Sequence, residues 1–361
     1  MDCGDLIVRD GRFYRTVALG GGLGLAEAYL HGYWDTPDLA AVLRVLAANL
    51  EVLTPSESTL ARMWNRQRAW INWLRRNTRR GSKRNIAAHY DLSNDFFRLF
   101  LDPTMTYSAG WFDSPDASME QASFAKYDRI ARKLALSPED HVLEIGTGWG
   151  GFAVHAAENY GCRVTTTTIS EQQFKVAQQR AANSPASDRI EVLLRDYRDL
   201  EGQFDKLVSI EMIEAVGDRY LPQFFRQCCQ LLRPGGLMCL QAILMPGQRF
   251  AAYRRGIDFI QRYVFPGGFL PSIGRIDECV GQATDLRWIG LEDMSPHYAE
   301  TLRRWSAAFE QQIEQVRRLG FDDRFIRLWR YYLAYCEAGF ATRQVTVAQL
   351  QFQRPTVTTI G

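Results

Sequence analysis

The alternation of short apolar runs with helical patterns that begins at His141 constrains this chain more than any other feature. HVLEI precedes the glycine-rich segment GTGWGGFAVHAAENYG, and CRVTTTTI precedes a helical stretch over 171–182. IEVLL, FDKLVSI, the helix RYLPQFFRQCCQLL, the turn RPGG and LMCLQAI continue the series. Runs of strand length separated by helices predict an α/β, doubly wound, parallel sheet that binds ligands outside the C-terminal ends of its strands. At 361 residues the chain exceeds one ordinary core. We therefore expect a small N-terminal domain over 1–80 and a large domain over 81–361.

The N-terminal region reads as α+β or helical. Residues 6–8 and 13–17 alternate around Asp10-Gly11, which predicts a hairpin. The glycines at 20–22 and 24 read as a flexible turn, because GGGLG lacks the Lys-Ser/Thr ending of a phosphate cradle. LAEAYLHGYW and LAAVLRVLAANL predict helices separated at Asp35-Thr36-Pro37. Between Ser58 and Tyr90 no acid occurs, while eight arginines and Lys83 accumulate with Trp64, Trp70 and Trp73 among them. Such a stretch suits an anionic membrane surface, with cations at the headgroups and indoles at the interface. It equally suits a solvated helix whose indoles pack on the large domain.

A net charge of +2 excludes a bulk-basic nucleic-acid binder, and no RNA-binding module accompanies the basic stretch. No apolar run reaches the ~18–20 residues of a membrane span, and charges interrupt the first segment as no signal peptide allows. The seven cysteines form no C-x-x-C pair and have no histidine at ligand spacing, so neither a metal site nor a disulfide scaffold is expected. A cytoplasmic protein, peripherally associated with the inner face of the membrane, fits these features.

The motif with most chemical content is Glu144-Ile145-Gly146-Thr147-Gly148-Trp149-Gly150-Gly151, between a strand and a helix. Gly146 and Gly148 permit a tight turn and close backbone approach, and the helix start offers free N–H groups. The second strand ends in TTTTIS without the acid a dinucleotide fold places on its ribose. The form E-x-G-x-G-x-G instead resembles the S-adenosylmethionine loop of class I methyltransferases.

AAHYDLSNDFFRLFLDPTMTYSAGWF, LEIGTGWGGFAVHAAENYG, TTTTISEQQ, DYRDL, EMIEAVG, IQRYVFPGG-LPS and YYLAYCEAGF occur in that order over residues 84–352. This series closely resembles the cyclopropane-fatty-acid synthases and mycolic-acid methyltransferases. The resemblance implies a Rossmann-like seven-stranded methyltransferase sheet, with a lipid-binding insertion over 246–275. It implies S-adenosyl-L-methionine as cofactor, held by Glu144, Gly146 and Gly148, with Thr106, Tyr107 and Ser108 folded onto its methionine end. Gln173, edged by Thr168 and Ile169, would meet the ribose, and Asp196 and Tyr197 would border the adenine. The implied substrate is a cis double bond in an unsaturated phospholipid acyl chain.

An unactivated alkene is a weak nucleophile, so it needs the sulfonium methyl held in line and water excluded from the cation that forms. Aromatic candidates to face that cation are Tyr298, Tyr263, Phe265 and Tyr90. The family holds a bicarbonate ion as bound base, and the resemblance carries its contacts onto Glu214, Tyr298 and the backbone of Ile243. Ala109 stands where the family has Cys after T-Y-S, and Thr147 where the glycine loop has Cys. More consequentially, Gln241 stands where the family has His, and an amide cannot shuttle a proton. Loss of a proton from a neighbouring carbon would then leave a methyl-branched alkene, and from the methyl without closure an exomethylene. A soluble small-molecule acceptor and a non-catalytic lipid-binding homologue stay open, as does quaternary structure, a homodimer included.

Overall fold

The structure, a computed structural model, describes residues 4–49 and 93–356. Its centre is built by the apolar runs. β3 (His141–Ile145), β4 (Arg163–Thr168), β5 (Ile190–Leu194), β6 (Phe204–Ile210) and β7 (Leu232–Leu244) pair in parallel in the order β5-β4-β3-β6-β7. Leu143, Leu207 and Leu240 on adjacent strands have no exposed surface. Each such side chain contributes roughly 1.5–3 kcal/mol relative to exposure. Two further strands, β8 (Arg287–Asp293) and β9 (Thr346–Gln353), complete a seven-stranded sheet in which β9 runs antiparallel to both β7 and β8. The sheet is thus mostly parallel, with one reversed strand. The residues read as the turn RPGG lie inside β7, where the register with β6 shifts between Phe204 and Lys206.

Helices cover both faces, and their starts follow from local chemistry. α4 (Met119–Lys133) opens on a capping box between Ser118 and Gln121. α6 (Glu171–Ala182) opens on Ser170, whose hydroxyl accepts from the Gln173 N–H and so fixes Gln173 in the first turn at the end of β4. α10 (Ser295–Gln311) and α12 (Asp323–Ala341) are the long C-terminal pair, and they pack on each other through Trp305, Phe309 and Trp329.

The N-terminal region departs from the expected hairpin. Residues 13–17 belong to α1 (Arg12–Leu30), and β1 (Ile7–Val8) pairs instead with β2 (Trp34–Asp35). The reason is local: Asp10 accepts from the Arg12 N–H, and Phe13 and Val17 stand one helical turn apart against the core. The glycine run lies within α1 and breaks its geometry at Gly21 (φ 54°, ψ −135°). α2 (Leu39–Ala48) follows an Asp38 cap, as the Asp35-Thr36-Pro37 break predicted. Leu23, Leu30, Trp34 and Leu43 share one hydrophobic cluster with α10 and α12, and Arg44 pairs with Glu337 of α12 at 2.8 Å. The basic tryptophan stretch, Tyr90 and the boundary near residue 80 lie outside the described residues.

Candidate active site

Above the C-terminal ends of β3, β4 and β6 lies a cavity of about 920 Å³. All of the cofactor residues named from sequence border it: Thr106, Tyr107, Ser108, Glu144, Gly146, Gly148, Thr168, Ile169, Gln173, Asp196 and Tyr197. Where the chain leaves β3, Gly146 takes φ 102° and Gly148 φ 53°, backbone that L side chains rarely adopt. A Cβ on Gly146 would sit 3.0 Å from that of Met212, whereas the same side of Gly148 is open. Bare backbone therefore faces the cavity just before the helix over Gly151–Tyr160, where N–H groups lack intrahelical partners.

The surrounding polar groups are held in place. Thr168 Oγ1 donates to Gln173 Oε1 at 2.9 Å, Thr166 Oγ1 donates to Glu144 Oε2 at 2.6 Å, and the Tyr107 and Tyr332 hydroxyls bond at 2.8 Å. Lys126 Nζ donates to Ser108 Oγ at 2.7 Å. This lysine has no exposed surface, and burial lowers its pKa to about 8 against the pull of Glu211, Asp102 and Glu144. Burial likewise raises Glu144 to about 8. Asp196 keeps its place at the rim, but both its carboxylate oxygens accept from the Arg198 guanidinium.

Further along the cavity two carboxylates stand three residues apart, where the chain leaves β6. Sequence reasoning centred the base on Glu214; the structure gathers the remaining groups on Glu211. Ala109 N–H donates to Glu211 Oε1 at 2.9 Å, Gln241 Nε2 to the same oxygen at 2.7 Å, and Tyr298 OH to Oε2 at 2.7 Å. Glu214 Oε1 accepts from the Ile243 N–H at 2.5 Å, and its Oε2 has no hydrogen-bond partner among the described residues. Both acids keep some accessible surface because they border the cavity, yet both lie deep in the protein. Burial raises the pKa of each. For Glu214 the neighbouring Glu211 charge adds to the rise, to about 8, while three donors and the Lys126 charge oppose it at Glu211. Glu211 is the better-solvated anion of the two and Glu214 the better proton holder.

The local backbone explains the difference. Glu211 sits at φ 48°, a conformation costing a non-glycine residue about 1–3 kcal/mol. That turn brings its carboxylate to Gln241 on the adjacent β7, while Glu214 lies on the 3-10 turn Ile213–Ala215. Gln241 is itself fixed: its Oε1 accepts from Gln349 Nε2 of β9 at 3.0 Å, and Gln349 Oε1 accepts from Lys133 Nζ. Sequence reasoning missed Glu211, Lys126 and Gln349. The available signal for the first was two acids in EMIEAVG spaced by about one turn at a strand end.

The far wall is apolar. The insertion folds back through α8 (Gly247–Tyr253) and a turn of π-helix over Ile260–Val264, and its Phe269 N–H donates to the Glu214 carbonyl at 2.8 Å. Phe265 and Phe259 from this lid, Leu302 and Tyr298 from α10, Tyr332 and Phe340 from α12, and Leu43 and Leu46 from α2 line the cavity. Cys336 joins them, its thiol pushed up by burial. Tyr263, offered as a cavity aromatic, instead turns its hydroxyl to Glu27 of α1 at 2.9 Å.

A mostly parallel seven-stranded sheet whose first βα loop presents bare glycine backbone to such a cavity defines an S-adenosylmethionine-dependent methyltransferase. Comparison with known proteins narrows the class. Residues 77–350 match the mycolic acid cyclopropane synthetase family, and the chain belongs to it. It is 41% identical to the tuberculostearic acid methyltransferase UfaA1 of Mycobacterium tuberculosis, over 93% of this chain and 79% of that one. It is 35% identical to the cyclopropane-fatty-acyl-phospholipid synthase of Escherichia coli, over 97% and 88%. The crystal structure of the mycolic acid cyclopropane synthase CmaA1 with SAH and CTAB matches with a TM-score of 0.70 and 35% identity, over 75% of this chain and 98% of that one. The protein is accordingly a C-methyltransferase of this family.

Proposed function

We propose that the protein transfers a one-carbon unit to the cis double bond of an unsaturated phospholipid acyl chain. S-adenosylmethionine, when bound, supplies an electrophilic methyl group. The glycine loop at Gly146 and Gly148, with Thr106, Tyr107 and Ser108, would hold its methionine end, Gln173 its ribose, and Asp196 and Tyr197 the rim beside its adenine. The observation that carries the reading is the continuity of one cavity, from the glycine loop past two buried carboxylates to an apolar wall of lid, C-terminal and N-terminal helices. Those walls suit an acyl chain and exclude water from a developing cation. Tyr298, Tyr332 and Phe265 supply aromatic surface there. Among the described residues no helix is long and apolar enough to cross a membrane. The enzyme would meet its lipid at an anionic membrane surface.

A second reading concerns the product. A cyclopropane forms when the new methyl loses a proton and closes on the cationic carbon. An exomethylene requires a hydride to shift between the two former alkene carbons before that loss. Gln241, fixed on both sides by hydrogen bonds, favours an outcome other than ring closure, as does similarity to a relative named a methyltransferase.

The test is incubation with methyl-labelled cofactor and vesicles of monounsaturated phospholipid, followed by mass analysis of released acyl chains. Label in the acyl chain is expected, with a methyl or methylene branch rather than a ring under the second reading. Folded, cofactor-binding protein that labels no acyl chain would refute the lipid assignment.

A further inference from the structure

We propose that Glu211 is a built-in base occupying the anion site that the family's pattern gives to bicarbonate. This inference rests on the acyl-chain reading above for its chemistry, but its structural part stands alone. Of the groups the resemblance assigns to a bound bicarbonate, the Ile243 N–H and Glu214 are bonded to each other, which leaves as donors Tyr298 OH, the side chain at position 241 and the neighbouring Ala109 N–H. In this protein all three donate to one carboxylate of the chain itself, at 2.7–2.9 Å. A second anion there would face Glu211 with its donors already engaged, so the residues present do not fit the ion.

Two further observations point the same way. Glu211 stands at a positive φ, where glycine would be free of strain, so the fold retains an acidic side chain at a backbone cost. Gln241 also becomes intelligible as a partner substitution. The Lys133–Gln349–Gln241 chain aims an amide N–H at Glu211 and ends on a cation at its far end, which stabilises negative charge on the carboxylate. An amide cannot take the proton from Glu211, so the proton-accepting role stays with the acid.

The step balances without an external ion. The alkene π pair forms the new carbon–carbon bond, the carbon–sulfur bond breaks, and its electron pair leaves on the neutral thioether. The lipid is then a cation. A C–H bond of the cation breaks, its pair completes the ring or the new double bond, and the proton passes to a Glu211 oxygen. Neutral lipid and a protonated Glu211 result, and the acid returns its proton to solvent between turnovers.

The experiment compares wild type, Glu211→Gly and Glu211→Gln in carbonate-free buffer and with added bicarbonate, by acyl labelling and by NMR of 13C-bicarbonate on the cofactor-loaded protein. Wild type should turn over equally with and without bicarbonate and show no bound 13C signal. Glu211→Gly, relieved of its backbone strain, should remain folded by circular dichroism and lose about 10²–10⁴-fold in rate. It should bind labelled bicarbonate and recover at least about tenfold with it, the lost general base being resupplied. Glu211→Gln should lose as much and show no recovery, because the amide still fills the site. Bound bicarbonate in wild type, a bicarbonate requirement in wild type, or full carbonate-free activity in Glu211→Gly would each overturn the proposal. Wild type that labels no acyl chain would refute the lipid reading instead, and the NMR occupancy would still decide whether Glu211 fills the anion site.

Discussion

The two ends of the cavity are built on opposite principles. At the glycine-loop end the working surface is backbone: Gly146 and Gly148 open a turn, and neighbouring side chains such as Thr168 and Gln173 bond to one another within a few residues. At the carboxylate end the working surface is two acid side chains with their donors, drawn from four separated places: the backbone N–H of Ala109, the β6 exit, β7 and α10. One end binds by shape and exposed N–H groups, and the other stores a charge and a proton where water is scarce. Local geometry shapes the glycine turn of the first, although its surrounding polar groups are joined across the chain; the second exists only when the sheet and helices are assembled.

Substitutions that injure one end and spare the other test this contrast. The largest effect is expected from Gly146→Val, which forces a β-branched residue to φ 102° with its Cβ against Met212. Affinity for S-adenosylhomocysteine, measured by calorimetry, should fall about 100-fold or more. Tyr298→Phe removes one donor from Glu211 and leaves the glycine loop untouched. Its kcat should fall about 10–100-fold, the worth of a hydrogen bond to a charged group, with unchanged cofactor affinity. A matching loss of cofactor affinity would show that the two ends are not separable.

Glu214 gives a pH signature. In the folded protein it keeps its proton up to about pH 8, whereas an ordinary glutamate gives it up near 4.5. Folding therefore takes up a proton in that window, so stability declines as pH rises from about 4.5 to about 8 and levels off above. Glu214→Gln carries no such proton and can still accept from Ile243. Its unfolding midpoint should rise relative to the parent between pH 5 and pH 8, by a few degrees at roughly 2 °C per kcal/mol. A constant difference across that range would refute the raised pKa. The smallest effect is expected from Leu46→Trp, which narrows the wall supplied by α2. Competition between acyl chains of different length should shift several-fold toward the shorter one, with cofactor affinity unchanged.

These contrasts also explain what was legible in the sequence. The five parallel strands were readable because each is a short run rich in apolar or β-branched residues set off by helices and turns, and the inner ones, β3 and β4 above all, are largely buried. β8 was not, because it is an edge strand whose burial alternates along its length, and β9 carries Gln349 and Gln351 among its apolar residues. Residues 13–17 misread as a strand because Phe13, Tyr14 and Val17 have β propensity. The Asp10 turn and the i, i+4 packing of Phe13 and Val17 outweighed it. Every cofactor residue named from sequence borders the cavity: those from Glu144 to Tyr197 lie at or just beyond strand ends, and Thr106, Tyr107 and Ser108 reach it from a segment between two helices. Glu214, Ile243, Tyr298, Gln241 and Ala109 were also named. Which of them share a partner was hidden, because that partner is Glu211, whose direction depends on one backbone angle.

By itself, then, the sequence determined the sheet, the glycine loop and the family, because those rest on short-range patterns of apolar runs, turns and capping residues. Tertiary structure decided which of two acids receives the donors and which keeps the proton. Glu211 and Glu214 stand only three positions apart, but burial, a positive φ and the approach of Ala109, Gln241 and Tyr298 give them different electrostatic surroundings. Such surroundings are sums over groups distant in the chain, so they take definite values only once the fold has brought those groups together.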